Sequence, residues 1–148
     1  QLAKPYGQSV RLLVGLFCTE SFDYRTLVGG ILGEKHGVEP WQVKKLNVAG
    51  KLEVTVEGRD TIAIPLKELQ AAVRPGCRSC TDFSAVDADI SAGAVGAPKG
   101  MTTLLVRTPV GKSFVDRAVL SGKLTVDPKV DLGAVEKLAR EKAKRRRK

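Results

Sequence analysis

The sequence predicts an α+β fold: a mixed, largely antiparallel sheet with flanking helices and a cysteine-bearing loop. Three observations lead there. Between Lys45 and Ile64, three short runs rich in β-branched and apolar residues are separated by glycine turns, which is how an antiparallel meander reads. From Tyr24 to Leu32 the apolar residues recur at helical spacing instead. After them, Pro75-Gly76 opens a polar loop that holds Cys77 and Cys80.

Taken in order, Arg11-Leu-Leu-Val-Gly-Leu-Phe-Cys18 is an apolar run that reads as a buried strand over Val10–Cys18. Ser21 or Asp23 then caps a helix in which Tyr24, Leu27, Val28, Ile31 and Leu32 share a face, ending near Gly37. Pro40-Trp41 starts a short helical turn before a strand near Lys45–Val48. Ala49-Gly50-Lys51 turns into Leu52–Glu57, whose alternation marks a half-buried strand, and Gly58-Arg-Asp60 turns into Thr61–Ile64, closed by Pro65. Beyond the cysteine loop come a short strand over Ala88–Ser91, a glycine-rich connection from Gly93 to Gly100, and a strand over Thr102–Arg107. A helix from Lys112 to Leu120 follows. Residues 133–148 start as an amphipathic helix and end as a basic tail, so residues 1–132 form the body. There are no internal repeats.

Size and composition fit a globular chain with a real core: 148 residues, 43% hydrophobic and 28% charged. No apolar stretch approaches the roughly 20 residues that a membrane helix needs. The chain opens on Gln1 and enters a strand within about ten residues, which reads as a piece of a longer polypeptide with a segment missing upstream. The net charge of +9 is concentrated at one end: Lys137 to Lys148 holds eight Lys or Arg and a single Glu. Such a tail binds nucleic acid or an acidic partner in some proteins and is a solvated end in most. With 5% aromatics and no aromatic pair interleaved with basic residues, the body argues against nucleic acid.

Cys18, Cys77 and Cys80 are the chain's cysteines. An odd count without a disulfide framework points to a reducing, cytoplasmic setting. Cys18, on its apolar strand, reads by itself as a core thiol. The Cys77/Cys80 pair reads as a ligand pair, because a polar loop is a poor place to bury thiols for packing. A redox disulfide of the thioredoxin kind would open a helix after a strand, and no helical pattern follows Cys80. Thiolates select zinc or the irons of an iron–sulfur cluster, and closed sites of both kinds want four ligands. The fourth is therefore either not a cysteine or not on this chain; Asp82 and His36 are the local substitutes.

Two motif look-alikes fail on spacing. Gly111-Lys112-Ser113 resembles the end of a phosphate-binding loop, but Val106 stands where that motif needs glycine. Gly93, Gly96 and Gly100 do not have dinucleotide-fold spacing. They suit an ordinary strand connection, or a backbone that lets a flat ring or phosphate approach closely.

The ordered motifs Gly15-Leu-Phe-Cys18-Thr-Glu20-x-Phe22-x-Tyr24, Pro75-Gly76-Cys77-x-x-Cys80-x-Asp82-Phe83, Ala88-Asp89-Ile90-Ser91-x-Gly93-x-Val95-Gly96-x-Pro98-x-Gly100-x-x-Thr103 and Val106-Arg107-Thr108 resemble one family. It is the C-terminal part of the β subunit of coenzyme F420 (deazaflavin) hydrogenases and dehydrogenases, found with archaeal hydrogenase and formate dehydrogenase. The resemblance implies an oxidoreductase domain that relays electrons between the deazaflavin hydride carrier, FAD and a four-iron iron–sulfur cluster. It implies Cys18, Cys77 and Cys80 as cluster ligands, with a further family cysteine upstream that this chain lacks. It also implies Ser91, Gly93, Val95 and Gly96 on the flavin side, with hydrogenase or formate dehydrogenase catalytic subunits and the upstream part of the polypeptide as partners. Asp89 and Glu20 are expected to orient loops or hydrogen-bond near the site, and Arg107 and Lys99 to meet phosphates or face water. The alternative is a small zinc-binding module, Cys18, Cys77 and Cys80 with His36, docking nucleic acid through the basic tail.

Overall fold

The structure, a computed structural model, describes residues 9–48 and 50–144. The elements run β1 (Val14–Leu16), a π-helix (Arg25–Lys35), a 3-10 turn (Pro40–Gln42), β2 (Val43–Val48), β3 (Lys51–Val56) and β4 (Ile62–Pro65). They continue with α1 (Leu66–Leu69), a 3-10 turn (Gln70–Ala72), α2 (Pro75–Ser79), β5 (Ile90–Gly93), β6 (Thr103–Val106), α3 (Pro109–Leu120) and α4 (Leu132–Lys144). The fold is α+β, with two three-stranded sheets, β1-β5-β6 and β2-β3-β4. The chain divides into two units: residues 20–78 form one, and residues 1–19 with 79–148 form the other.

The 20–78 unit is built on the expected meander. β3 pairs antiparallel with β2 and with β4, from Lys51 opposite Pro65 to Val54 opposite Ile62. Alternation turns Leu52, Val54 and Val56 inward, where they meet Ile64, Leu69 and the helix residues Leu27, Val28, Ile31 and Leu32. The helix is wound as a π-helix, with Gly29, Gly30 and Gly33 among its eleven residues. The pairs 27/28 and 31/32 keep to one face, whereas Tyr24, expected on that face, is exposed. Asp23 rather than Ser21 supplies the cap: its Oδ1 accepts from the Thr26 amide and hydroxyl, both at 2.9 Å. At the other end Gly37 takes φ +59 and the chain leaves the helix. A short ladder ties Ser21–Asp23 to Ala72–Arg74 through Asp23 N–H to Ala72 O and Arg74 N–H to Ser21 O.

The other unit departs more from expectation. The strand expected over Val10–Cys18 shortens to Val14–Leu16, and it is not buried: Val14 is 51% and Leu16 71% exposed. Its sequence neighbours follow other demands. The Leu13 amide donates to the Asp89 carboxylate and the Leu13 carbonyl accepts from Asp89 and Ile90. β1 pairs in parallel with β5, Val14 opposite Ile90, and Gly15 allows close approach to Ala85. β5 and β6 form an antiparallel pair joined by the glycine-rich connection. α3 starts at Pro109, earlier than Lys112, because Thr108 caps it by accepting from the Gly111 amide at 3.1 Å. Gly111, the look-alike glycine, serves packing: a Cβ there would stand 2.5 Å from the Asp89 carbonyl oxygen. α4 is docked at both ends, by Asp131 N–H to Gly96 O and by Lys142, which is 3% exposed. The basic stretch Arg145–Lys148 and the Ala49 turn residue lie outside the described residues.

Candidate functional site

All three cysteines are free thiols and partly exposed. Cys18 and Cys80 belong to one unit and Cys77 to the other. In the 20–78 unit, the 21–23/72–74 ladder sets Ser21 against the one-turn helix α2, and the Ser21 amide donates to Cys77 Sγ at 3.2 Å. The Cys77 amide itself donates to Arg74 O. The loop expected around Pro75-Gly76 is thus one turn of helix, and Cys80 follows its last residue.

In the other unit, the Cys18 amide donates to the Phe83 carbonyl at 2.8 Å, which fixes Cys18 beside the loop that follows Cys80. Lys142 Nζ donates to the Cys18 carbonyl at 2.6 Å. The backbone of Cys18 is therefore held on both sides while its side chain stays free. Phe17 and Phe83 stack at 5.3 Å between ring centroids. The 80–89 loop is strongly determined. Asp82 accepts from the Val86 amide, Arg107 Nη2 donates to Ser84 O and Oγ, and Ala85 adopts φ +51. Arg107, an exposed residue, pins Ser84.

Asp89 is the hub of this unit. Its Oδ1 accepts from the Thr108 hydroxyl at 2.6 Å and its Oδ2 from the Leu13 amide at 2.9 Å, and these two bonds hold its carboxyl below the ordinary value of 3.8. The Thr26 amide and hydroxyl likewise lower Asp23. Asp89 orients loops, as the first of its two expected roles had it.

Each flavin-side candidate has a structural partner. Ser91 is fully buried with its hydroxyl donating to Ala85 O at 3.2 Å. Gly93 lies under the Phe17 ring, where a Cβ would collide with it. The Val95 carbonyl accepts from Thr103 Oγ1 at 2.8 Å. Gly96, at φ +85, packs on Asp131 and Val135. Beside them, Ala97, Pro98, Gly100 and Met101 line an open groove of about 600 Å³ whose far wall is residues 124–130. The glycine spacing along the connection does not reveal that groove, since its far wall comes from a segment with no motif.

Of the substitute ligands, His36 Nε2 lies 3.1 Å from Glu68 Oε1 and Asp82 is engaged with Val86. Among the described residues, no three His, Cys, Asp or Glu side chains converge as a metal site. No helix among them is long and apolar enough to cross a membrane.

Comparison with known proteins gives this arrangement a setting. The chain is 43% identical over 97% of its length to an uncharacterised protein of Methanocaldococcus jannaschii, covering 40% of that protein. It is 37% identical over 93% of its length to coenzyme F420 hydrogenase subunit beta of Methanothermobacter thermautotrophicus, covering 52% of it. Among solved structures, a chain of the F420-reducing nickel–iron hydrogenase complex from Methanosarcina barkeri superposes with a TM-score of 0.79 at 36% identity, over 92% of this chain and 48% of that one. The chain spans about half the length of the relatives it matches. Residues 1–131 match the family described as the C terminus of the coenzyme F420 hydrogenase/dehydrogenase beta subunit, and the chain belongs to that family.

Proposed function

We propose that this chain is the C-terminal electron-transfer domain of an F420-dependent oxidoreductase β subunit. It acts with the half of the polypeptide that its relatives carry in addition, and with a hydrogenase or formate dehydrogenase catalytic subunit. The observation that carries the reading is the family match over residues 1–131 together with three free, partly exposed thiols. The donor set fits an iron–sulfur cluster. Thiolates are the ligands irons select, and none of the three is in a disulfide.

In this reading Cys18, Cys77 and Cys80 hold the cluster, and the fourth ligand comes from outside this chain, since His36 and Asp82 are occupied within the fold. When bound, the cofactors would supply the redox chemistry: hydride exchange at the deazaflavin, conversion between electron pairs and single electrons at FAD, and one-electron transfer at the cluster. The chain's own residues hold and shape. Phe83 and Lys142 fix the Cys18 backbone, and Ser21 fixes the Cys77 sulfur. Ser91 and Gly93, packed against Ala85 and Phe17, would shape the flavin side from behind, with Val95 and Gly96 holding the connection, and the groove beside Ala97 and Pro98, about 600 Å³, has a volume in the range of small-molecule sites, about 300–1,000 Å³.

The test is anaerobic purification of the whole polypeptide that carries this chain, with iron, zinc and flavin analysis. About four irons and one flavin are expected, with iron lost in Cys18→Ala, Cys77→Ala and Cys80→Ala. A colourless protein holding one zinc would contradict the reading and favour the zinc module.

A further inference from the structure

Lys142 is a charged side chain in an unusual place. It is 3% exposed, and its ammonium donates to the Cys18 carbonyl at 2.6 Å. Among the described residues no carboxylate lies within 4 Å of it to form an ion pair. Removing an ammonium from water costs several kcal/mol when nothing of opposite charge accompanies it. One carbonyl dipole does not offset that. α4 carries Lys137, Arg140 and Lys144 outside its buried face, whereas Lys142 occupies the inward face with Val135.

The place the charge occupies suggests what accompanies it. Its hydrogen-bond partner is the backbone of Cys18, whose amide is committed to Phe83 and whose sulfur is free. A thiolate is the metal-binding form of cysteine, and a cluster ligated by thiolates is anionic. We propose that Lys142 is the counter-charge of the anionic centre held at Cys18, and that it sets that centre's reduction potential by favouring the state with one more electron. The proposal rests on the cluster reading given above. Net charge and hydrogen bonding near the sulfurs are among the factors that set cluster potentials, and a buried charge is poorly screened.

The test is a redox titration, followed by electron paramagnetic resonance, of the cluster-loaded whole polypeptide as wild type, Lys142→Gln and Lys142→Arg, with a thermal melt of each. Glutamine keeps an N–H donor for the Cys18 carbonyl but removes the charge; arginine keeps both. The expected result is a midpoint potential more negative in Lys142→Gln, by about 59 mV if the reduced form loses tenfold in relative stability, with Lys142→Arg close to wild type. An unchanged potential in Lys142→Gln overturns the proposal, whether or not its melting temperature falls, because the lysine is then only a tether. So does a Lys142→Gln chain that does not fold while Lys142→Arg does, since the charge would then serve the fold itself. Wild-type protein without iron is a separate outcome: it removes the cluster reading, and the assignment of Lys142 with it.

Discussion

Replacing Gly96 by alanine tests how the glycine-rich connection is built. Gly96 sits at φ +85, and a Cβ there would stand 2.6 Å from the Asp131 carbonyl oxygen and 3.1 Å from Val135 Cγ2. A left-handed backbone costs an L-residue about 1–2 kcal/mol. The colliding oxygen belongs to the main chain, so no side chain can swing away to relieve it. The Asp131 peptide must move, which loosens its 2.8 Å bond to the Gly96 carbonyl, a loss of about 1 kcal/mol. With some residual overpacking the cost is about 3 kcal/mol. In a chain of this size that lowers the melting temperature by about 10 °C. Gly100 is the internal control: it has the same φ of +85, but nothing lies within 4 Å of the place its methyl group would take. Gly100→Ala should therefore lose only the backbone part, about one to two thirds as much. The assay is thermal unfolding of both variants followed by far-ultraviolet circular dichroism. Equal losses in the two would refute the claim that Gly96 is required by its contact with the start of α4.

Three further outcomes follow from the packing and the charges. Leu32→Ala, at a fully buried position of the 20–78 core, should cost about 2–5 kcal/mol in denaturant unfolding; a loss below about 1 kcal/mol would show the π-helix is not packed as described. Ala85→Gly removes a left-handed alanine and should leave stability unchanged or raise it by up to about 1 kcal/mol, whereas a fall of several degrees would mean the methyl contact at Gly15 outweighs the strain. Asp89 has its pKa lowered from 3.8 by Thr108 and Leu13, so the stability it contributes is complete above that value and is lost as pH falls through the lowered one. Asp89→Asn should weaken the protein at neutral pH and flatten this acid limb; an acid limb identical to wild type would assign the loss to other carboxylates.

The meander is legible in the sequence because its information is local: turn glycines and alternation at Leu52, Val54 and Val56 determine both strand and face. The helix over Arg25–Lys35 is legible for the same reason, although its π winding is not, since the pairs 27/28 and 31/32 suit either winding. β1 is shorter than its apolar run suggests because such a run says nothing of which neighbour its backbone bonds to. Leu13 is taken by Asp89, 76 positions away. The helices over 66–72 and 75–79 leave no pattern because each is a single turn, too short to show a period. Lys142 does leave a readable trace: Val135, Leu138, Ala139 and Lys142 form one helical stripe, and a lysine in such a stripe is a charge directed at the protein interior. Net charge alone, which makes the segment a basic tail, hides that trace. Asp89 and Arg107 lie inside recognisable motifs, but their partners Leu13, Thr108 and Ser84 are fixed only by the fold.

The proposed role of this domain in electron exchange with coenzyme F420 is tested most directly by exchange itself. The whole polypeptide carrying this chain, purified without oxygen and loaded with iron and flavin, is mixed with reduced coenzyme F420 while the absorbance of the flavin and of the deazaflavin is recorded. The flavin is expected to bleach as the deazaflavin is oxidised, with one-electron reduction of an iron centre following and being lost in Cys80→Ala. A flavin that stays oxidised in the presence of excess reduced coenzyme would contradict that role.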